Sequence, residues 1–383
     1  MVDLKKEIKL SDLKPKRKPS APKAVTPSTN GSKAKKKGRR DIVGVKVGAS
    51  QLAAAYVVND GTAKLVKVAR EPLEPGVVIA GEVRDISALG RALDAFFKQY
   101  DLPRKNVRLG VGTNRVGVRV LDIQGIDDER QLANAVTFRA HEALSIPMDQ
   151  AVLDYHVVGT HTEDDGSVSH RVILAAAYRD PIDHFAAAFD AAGIELSAID
   201  VEAFALLRAI APPAAYDSDT RAAVVALALG HDRTTLAISD GNLCDFTRVL
   251  EWGGSRLDAA ISRELGVTAE EADEIKLRLD LNSDDPETAR PRNAVKSELT
   301  TLARELVASL QFYQAQPDSL ALSELLVTGG TTRMPGLVEE LERLVRARVR
   351  VADPLSVVQA NGDVTSRNDL ASLAIAIGLG VDR

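Results

Sequence analysis

The sequence predicts an α/β protein of two lobes, each built around the same strand-turn-strand unit. Three stretches predict it. Residues 42–50 read IVGVKVGAS and residues 223–236 read AVVALALGHDRTTL. Each is an apolar run ending in glycine with small or hydroxyl residues after it. The first continues into Leu52, Ala53, Tyr56 and Val57 and the second into LAIS, so both read as hairpins. The third stretch is ELLVTGGTTRMPGL at 324–337. Leu325, Leu326 and Val327 form a short strand, Gly329 and Gly330 a turn, and Pro335 stands where a helix begins ahead of LVEELERLVRARV. Paired glycines permit positive φ and let another group approach the backbone, and N–H groups before a helix start can face a ligand. Most such turns only join a strand to a helix. Two hairpins half a chain apart, with the glycine turn after the second, suggest a duplicated domain gripping a phosphate between its halves.

The chain has 383 residues, 45% hydrophobic and 27% charged, enough for two medium domains with real cores. Aromatics make up 4%, so the core rests on Ala, Val, Leu and Ile. The single cysteine, Cys244, excludes an internal disulfide and a cysteine-based metal cluster and fits a reducing cytoplasm; it reads as a small half-buried hydrophobe. The longest uncharged apolar stretch, LASLAIAIGLGV, has 12 residues, short of the roughly 20 that span a bilayer. No signal peptide is expected, because the N-terminus lacks an apolar segment.

Residues 1–40 differ from the rest. They carry 11 Lys and 3 Arg against 3 acids, a net of +11, whereas the remaining 343 residues carry a net of −16. Four prolines interrupt this tail, and it is expected to be disordered over 14–40 and attracted to its own acidic body. In VDLKKEIKLSDL at 2–13, apolar residues punctuate the charges, and two readings stand: a solvated linker, or a docking motif or helix on an anionic membrane.

The body starts near Asp41. After the first hairpin, Leu89, Leu93, Phe96 and Phe97 share one helical stripe, which Leu102-Pro103 ends. A strand follows from Val107, then VGVRVLDIQGI as a strand, DERQLANAVTFRAHEAL as a helix and VSHRVILAAAY as a strand. His141 and Glu142 lie in a polar helix without motif partners and read as surface. PIDHFAAAFDAAG is a helix with Gly193 as its C-cap. In the second half, SRLDAAISRELGVTAEEADEIKLRL is a helix pair divided by Gly266. NSDDPETARPRNAV reads as a mobile loop. KSELTTLARELVASLQFYQAQ is a long helix with Leu299, Leu302, Leu306, Leu310 and Tyr313 on its stripe.

The stretches IVGVKVGAS, SIPMDQAVLDYHVVG, ALGHDRTTL, FTRVLEWGGSRLDAAISRELG, EEADEIK and LLVTGGTTRMPGL occur over residues 41–381 in an order that resembles the actin-like ATPase superfamily. Within it the chain resembles the PilM family of type IV pilus assembly proteins, relatives of the division protein FtsA. The resemblance implies an actin-like, RNase H-like duplicated fold of two lobes. The first would span 41–215, with an inserted subdomain of the FtsA and PilM type at about 107–190, GVGT marking its start. The second would span 216–367, with a helical subdomain at about 251–323, and 368–383 would return as a helix to the first lobe.

The resemblance also implies a cleft for ATP or ADP. Its residues carry over to Lys46, Gly48, Ala49 and Ser50 in the first hairpin, and to Gly230, Thr234 and Thr235 in the second. Gly253, Gly254, Gly329, Gly330 and Thr331 would complete the phosphate cradle, and Asp273 and Lys276 match positions near the ribose and base. A solvated pair on a surface helix explains the last two equally well. Here the chain departs from the superfamily. Its two metal-positioning aspartates are Lys46 and Ala228, so the magnesium station is in doubt. Either Lys46 supplies the charge magnesium would bring, so that nucleotide binds without hydrolysis, or the cleft is empty and the fold is a scaffold. Phosphoryl transfer depends on metal and positioned charge, so neither reading gives an active ATPase or a catalytic residue.

As a PilM-like protein the chain would be a cytoplasmic scaffold, peripheral at the inner face of the cell membrane, as a homo-oligomer or ring. Its partner would be the N-terminal peptide of a PilN-like membrane protein, with the pilus platform and motor proteins nearby. The alternative from another class is an active ATPase or filament former of the FtsA or MreB kind. The acidic body and the lack of an aromatic-basic groove count against nucleic acid.

Overall fold

A computed structural model of the chain describes residues 40–126, 128–144, 146–162, 166–211, 222–241, 243–316, 319–360, 364 and 370–382. Residues 1–39, which hold the 2–13 segment with its two readings and all but the last residue of the tail expected to be disordered over 14–40, lie outside the described residues.

The first sheet begins with a meander, β1 (Arg40–Val47), β2 (Gln51–Asn59) and β3 (Ala63–Pro72). β3 was not among the expected elements: its VKVAREP ending breaks the apolar run that marked the other two. Val43, Val45, Val47 and Leu52 face one core, with Leu89, Leu93, Phe96 and Phe97 of α1 (Ile86–Gln99). Ala53, Ala55 and Val57 face a second core on the other side of the sheet. Burial on both faces explains why VGVKV is a near-continuous apolar run. A two-residue ladder, β4 (Val78–Ile79) with β5 (Glu82–Val83), precedes α1, which Asp85 caps by accepting from the Ala88 N–H at 2.8 Å.

β6 (Val107–Val111) runs parallel to β1. β7 (Val116–Gln124), α2 (Glu129–Ala143), β8 (Ala151–Thr162) and β9 (Val168–Tyr178) follow. The three strands form a separate antiparallel sheet in the order β7-β9-β8. Leu132, Val136 and Ala140 of α2 pack on Ile123, Val172 and Leu174 of that sheet. His141 and Glu142 are exposed on α2. The expected start of the inserted subdomain at 107 is corrected here. Residues 107–111 are hydrogen-bonded into the first sheet, and the separate sheet begins only at Val116. α3 (Arg179–Ala191) ends in a Schellman motif: Gly193, at φ 65°, donates to Asp190 O at 2.8 Å and Ile194 to Phe189 O at 2.9 Å. β10 (Leu196–Val201) then leads into α4 (Glu202–Ile210).

The second sheet repeats the plan with β11 (Ala222–Leu229), β12 (Thr234–Ser239) and β13 (Cys244–Leu250). α5 (Gly254–Leu265), α6 (Ala269–Arg278) and α7 (Ala289–Gln314) come next, then β14 (Ala321–Thr328), α8 (Leu337–Val345) and β15 (Val349–Val351). The first sheet is ordered β10-β6-β1-β2-β3 with β16 (Gln359–Ala360) at its edge, and the second is ordered β13-β12-β11-β14-β15. In both, an antiparallel meander is extended by two parallel strands from its first strand, the duplication that the two hairpins suggested.

Three further expectations are corrected. Residues 282–295 do not form one loop, because α7 already starts at Ala289. Pro291 sits buried in its first turn, where its missing N–H costs nothing. Pro335 does not start α8. The glycine turn runs instead into a short 3-10 turn (Gly330–Arg333), and Pro335 O accepts from Leu281 N–H at 3.0 Å. Gly336, left-handed at φ 80°, then begins the helix. Last, the chain crosses back before 368, since β16 already pairs with β3. The terminal helix α9 (Ala374–Gly380) and α4 share a core with the inner residues of both sheets, including Val201, Ala226 and Leu326. Cys244 is buried in that core, and burial pushes its thiol up. No helix among the described residues is long and apolar enough to cross a membrane.

Candidate functional site: a cleft between the lobes

The two glycine hairpins meet across a cleft of about 630 Å³, within the range of small-ligand sites. Their turns close in the same way. Gly48 N–H donates to Gln51 O at 2.9 Å, and Gly230 N–H to Arg233 O at 2.9 Å. Lys46 and Ala228 each stand two residues before those glycines and line the cleft, as do Ala49 and Ser50. The sequence placed these groups together, and the fold does so.

Lys46 has a partner that the sequence did not suggest. Its Nζ lies 3.5 Å from Glu202 Oε2, the lysine side chain 21% exposed and the glutamate 4%. Glu202 is the first residue of α4, where the helix dipole favours an anion. The Thr235 hydroxyl donates to the same carboxylate oxygen at 3.3 Å. Gly112, just after β6, makes room for it: a Cβ there would stand 2.6 Å from Glu202 Oε2. The floor of the cleft is therefore a buried, hydrogen-bonded ion pair joining strands of both sheets through α4. A lone glutamate in IDVEAF gives no sequence signal of this.

The far wall is the glycine turn. Gly329 has φ 106°, and a Cβ on it would stand 2.2 Å from Leu229 O, so only glycine lets the turn close on the end of β11. Gly330 borders open space, and a Cβ on it would meet nothing within 4 Å. Thr331 Oγ1 contacts Gly230 O at 3.4 Å, and Gly254 admits that hydroxyl, since its Cβ would come within 2.9 Å. Two expected residues fall outside the cleft. Thr234 points to the opposite face of β12 from Thr235, and its hydroxyl donates to Trp252 O at 2.8 Å in the second-lobe core. Gly253 packs under the hairpin turn, where a Cβ would lie 2.4 Å from His231 O. The first amides of α5 are taken by the same turn: Gly254 N–H donates to Gly230 O and Ser255 N–H to His231 O, at 2.9 and 2.8 Å.

Asp273 and Lys276 do face the cleft, and they form more than a surface pair. Lys276 Nζ bridges Asp273 at 2.7 Å and Asp258 of α5 at 2.6 Å. Burial pushes the Asp258 carboxyl above its ordinary range, and the Lys276 ammonium opposes that. Beside them Leu277 is 69% exposed, and Arg333 and Ser372 also line the opening. Sequence reasoning missed these, because neither an exposed leucine nor a lone arginine stands out without the fold.

Lys46 and Ala228 bring no oxygen ligand for a hard cation to the cleft. They are the two positions at which the superfamily resemblance implies carboxylates, and here they hold an ammonium and a methyl group. Among the described residues, no group of three His, Cys, Asp or Glu is placed to hold a metal ion.

A family model described as "Type IV pilus assembly protein PilM" matches residues 44–383. The chain is similar to the cell division protein FtsA of Bacillus subtilis (strain 168), 22% identical over 341 residues covering 78% of this chain and 74% of that protein. Among solved structures it resembles a PilM-PilN type IV pilus biogenesis complex, with a TM-score of 0.75 and 23% identity over 90% of this chain and 98% of that one. It also resembles MreB5 of Spiroplasma citri bound to AMPPNP, with a TM-score of 0.50 and 12% identity over 89% and 94% of the two chains. The fold is thus actin-like.

Proposed function

The chain belongs to the family of type IV pilus assembly protein PilM, and from that premise we propose a cytoplasmic scaffold whose cleft binds nucleotide without magnesium and does not hydrolyse it. One observation carries the proposal. At the floor of the cleft, the first metal-positioning place holds Lys46, 3.5 Å from the buried Glu202 carboxylate, and the second holds Ala228. Bound nucleotide would supply its own phosphate charge. Lys46 and the backbone around Gly48, Gly230 and Gly330 would face the phosphates, and Asp273 and Lys276 the ribose and base. Because Glu202 already neutralises much of the Lys46 charge, the affinity is modest. Without a metal to draw charge from the leaving oxygen, turnover stays at background.

Calorimetry and phosphate release test this on the full chain. ATP should bind equally well in chelator and in excess Mg²⁺, and Lys46→Ala should weaken it by about tenfold. Affinity that climbs steeply with Mg²⁺, or magnesium-dependent turnover abolished by a cleft substitution, would instead establish an active ATPase.

The partner follows from the same family premise. One structural neighbour is a PilM-PilN type IV pilus biogenesis complex, and we infer that a PilN-like N-terminal peptide docks between the first lobe and the separate sheet of β7, β8 and β9. β7 and β8 are the edges of that sheet, and an extended peptide can pair with such an edge while alternate side chains fill pockets. This would hold the protein, in a ring or other oligomer, at the inner face of the membrane beside the platform and motor proteins. Recruitment should survive deletion of residues 14–40 and fail without the PilN-like protein. The opposite pattern would make the basic tail the anchor.

A further inference from the structure

We propose that Arg233 is a latch between the lobes, through which the contents of the cleft set the posture of the separate sheet. Arg233 ends the second hairpin's turn, one residue before β12, and its guanidinium reaches from its own lobe across to the first. Its Nη1 donates to Gly112 O in the first lobe, and its Nε lies 3.3 Å from the carboxylate of Asp232, with only 10% of the side chain exposed. The first lobe is shaped to receive it. Gly81, in the turn between β4 and β5, has φ 75°, and a Cβ there would stand 1.5 Å from Arg233 Nη1. The guanidinium occupies the space that any other residue would fill.

Where the latch lands gives it consequence. Gly112 opens the short link between β6 and β7, so Arg233 holds the root of the separate sheet. The same link meets the second lobe again at Asn114, which donates to Glu251 at 2.9 Å. Next to Gly81, Glu82 pairs with Arg115 of the link at 3.1 Å, and the Arg115 guanidinium lies over the Tyr178 ring at the end of β9, 5.4 Å from its centroid. At the other end of the latch, Asp232 and Gly230 line the phosphate side of the cleft. A phosphate that moves this turn must move Arg233, and with it the attachment of β7. Because Arg233 reads the turn, the coupling rests on the nucleotide reading of the cleft given above.

Hydrogen exchange on the full chain tests the latch. Without ligand, Arg233→Ala should speed amide exchange in 112–124 and 230–236 by about tenfold while α7 stays protected. Gly81→Ala should give the same pattern, because its methyl expels the guanidinium. Combining the two should add little, since both remove one contact. Fully additive effects would mean that Gly81→Ala acts through its own left-handed backbone, and unchanged exchange in 112–124 would mean that Arg233 holds nothing there; either overturns the latch. Metal-free ATP should slow exchange in 116–124 in the wild-type protein and not in Arg233→Ala. ATP that binds by calorimetry yet leaves β7 unchanged overturns the coupling alone. Absence of any binding heat overturns the reading of the cleft and the coupling together.

Discussion

Lys46 Nζ lies 3.5 Å from Glu202 Oε2 at the floor of the cleft, and the glutamate side chain is only 4% exposed. The cation in the first hairpin is therefore committed before any ligand arrives. Removing one member of a buried pair strands the other charge, whereas neutralising both leaves little penalty. Lys46 is one-fifth exposed, so solvent softens the loss. Lys46→Ala should lower unfolding stability by about 2 kcal/mol, and adding Glu202→Gln should restore more than half. Urea denaturation of Lys46→Ala, Glu202→Gln and the double variant measures this. Losses of the two single variants that simply add in the double variant would show that the pair contributes no coupling.

Lys276 predicts a pH signature. Burial already raises the Asp258 carboxyl above its ordinary 3.8, against the opposing Lys276. Lys276→Met removes that opposition and raises the folded value further. A group raised in the folded state stabilises fully below its unfolded value and loses that stability as pH rises through its folded value. The stability gap between wild type and Lys276→Met should therefore be widest at neutral pH and close on acidification. Asp258→Asn in the same background should abolish the pH dependence. Thermal melts across pH 7 to about 4 would read it.

Two carboxylates work in the other direction. The Arg343 hydrogen bonds hold Glu340 below its ordinary 4.5, and Arg350 does the same for Glu324. A depressed group stabilises above its unfolded value and loses that contribution as pH falls through its folded value. Glu340→Gln and Glu324→Gln should each flatten the acid limb of stability below about pH 4.5, with little change at pH 7 beyond the lost pair. Because Arg343 and Arg350 are more than half exposed, high salt should shrink both effects. A salt-insensitive acid limb would point to other groups.

What the sequence made legible follows from what its residues do locally. The glycines after IVGVKV and VVALAL end runs that are apolar on both sides, so the hairpins, and with them most of the cleft, could be placed. Thr234 and Thr235 look alike in the sequence. A strand sends neighbours to opposite faces, and only Thr235 reaches Glu202. Glu202 was invisible because its importance lies in what α4 brings to it: Lys46 lies far earlier in the chain. Pro291 reads as a breaker, yet in the first turn of α7 its missing N–H is no loss. Arg233 lies inside the ALGHDRTTL stretch, but nothing there marks the residue itself; its role rests on a glycine in another lobe.

The paired glycines of the far wall should respond in opposite ways. Gly329 is at φ 106°, and a Cβ there would stand 2.2 Å from Leu229 O. The obstacle is backbone in β11, which cannot move without disturbing the sheet, and the conformation itself is strained for an L-residue. Gly329→Ala should cost about 3 kcal/mol or more. Gly330 has neither constraint: it is not in the left-handed region, and a Cβ would meet nothing within 4 Å. Gly330→Ala should leave stability within about 0.5 kcal/mol of wild type. Its methyl would project into the space where phosphates would sit, so ATP affinity should fall while the melting curve stays put. Denaturation and calorimetry on the two variants separate the roles. If Gly330→Ala unfolds the protein as readily as Gly329→Ala, the turn is a structural unit throughout; if it binds ATP as wild type does, the ligand does not approach this wall.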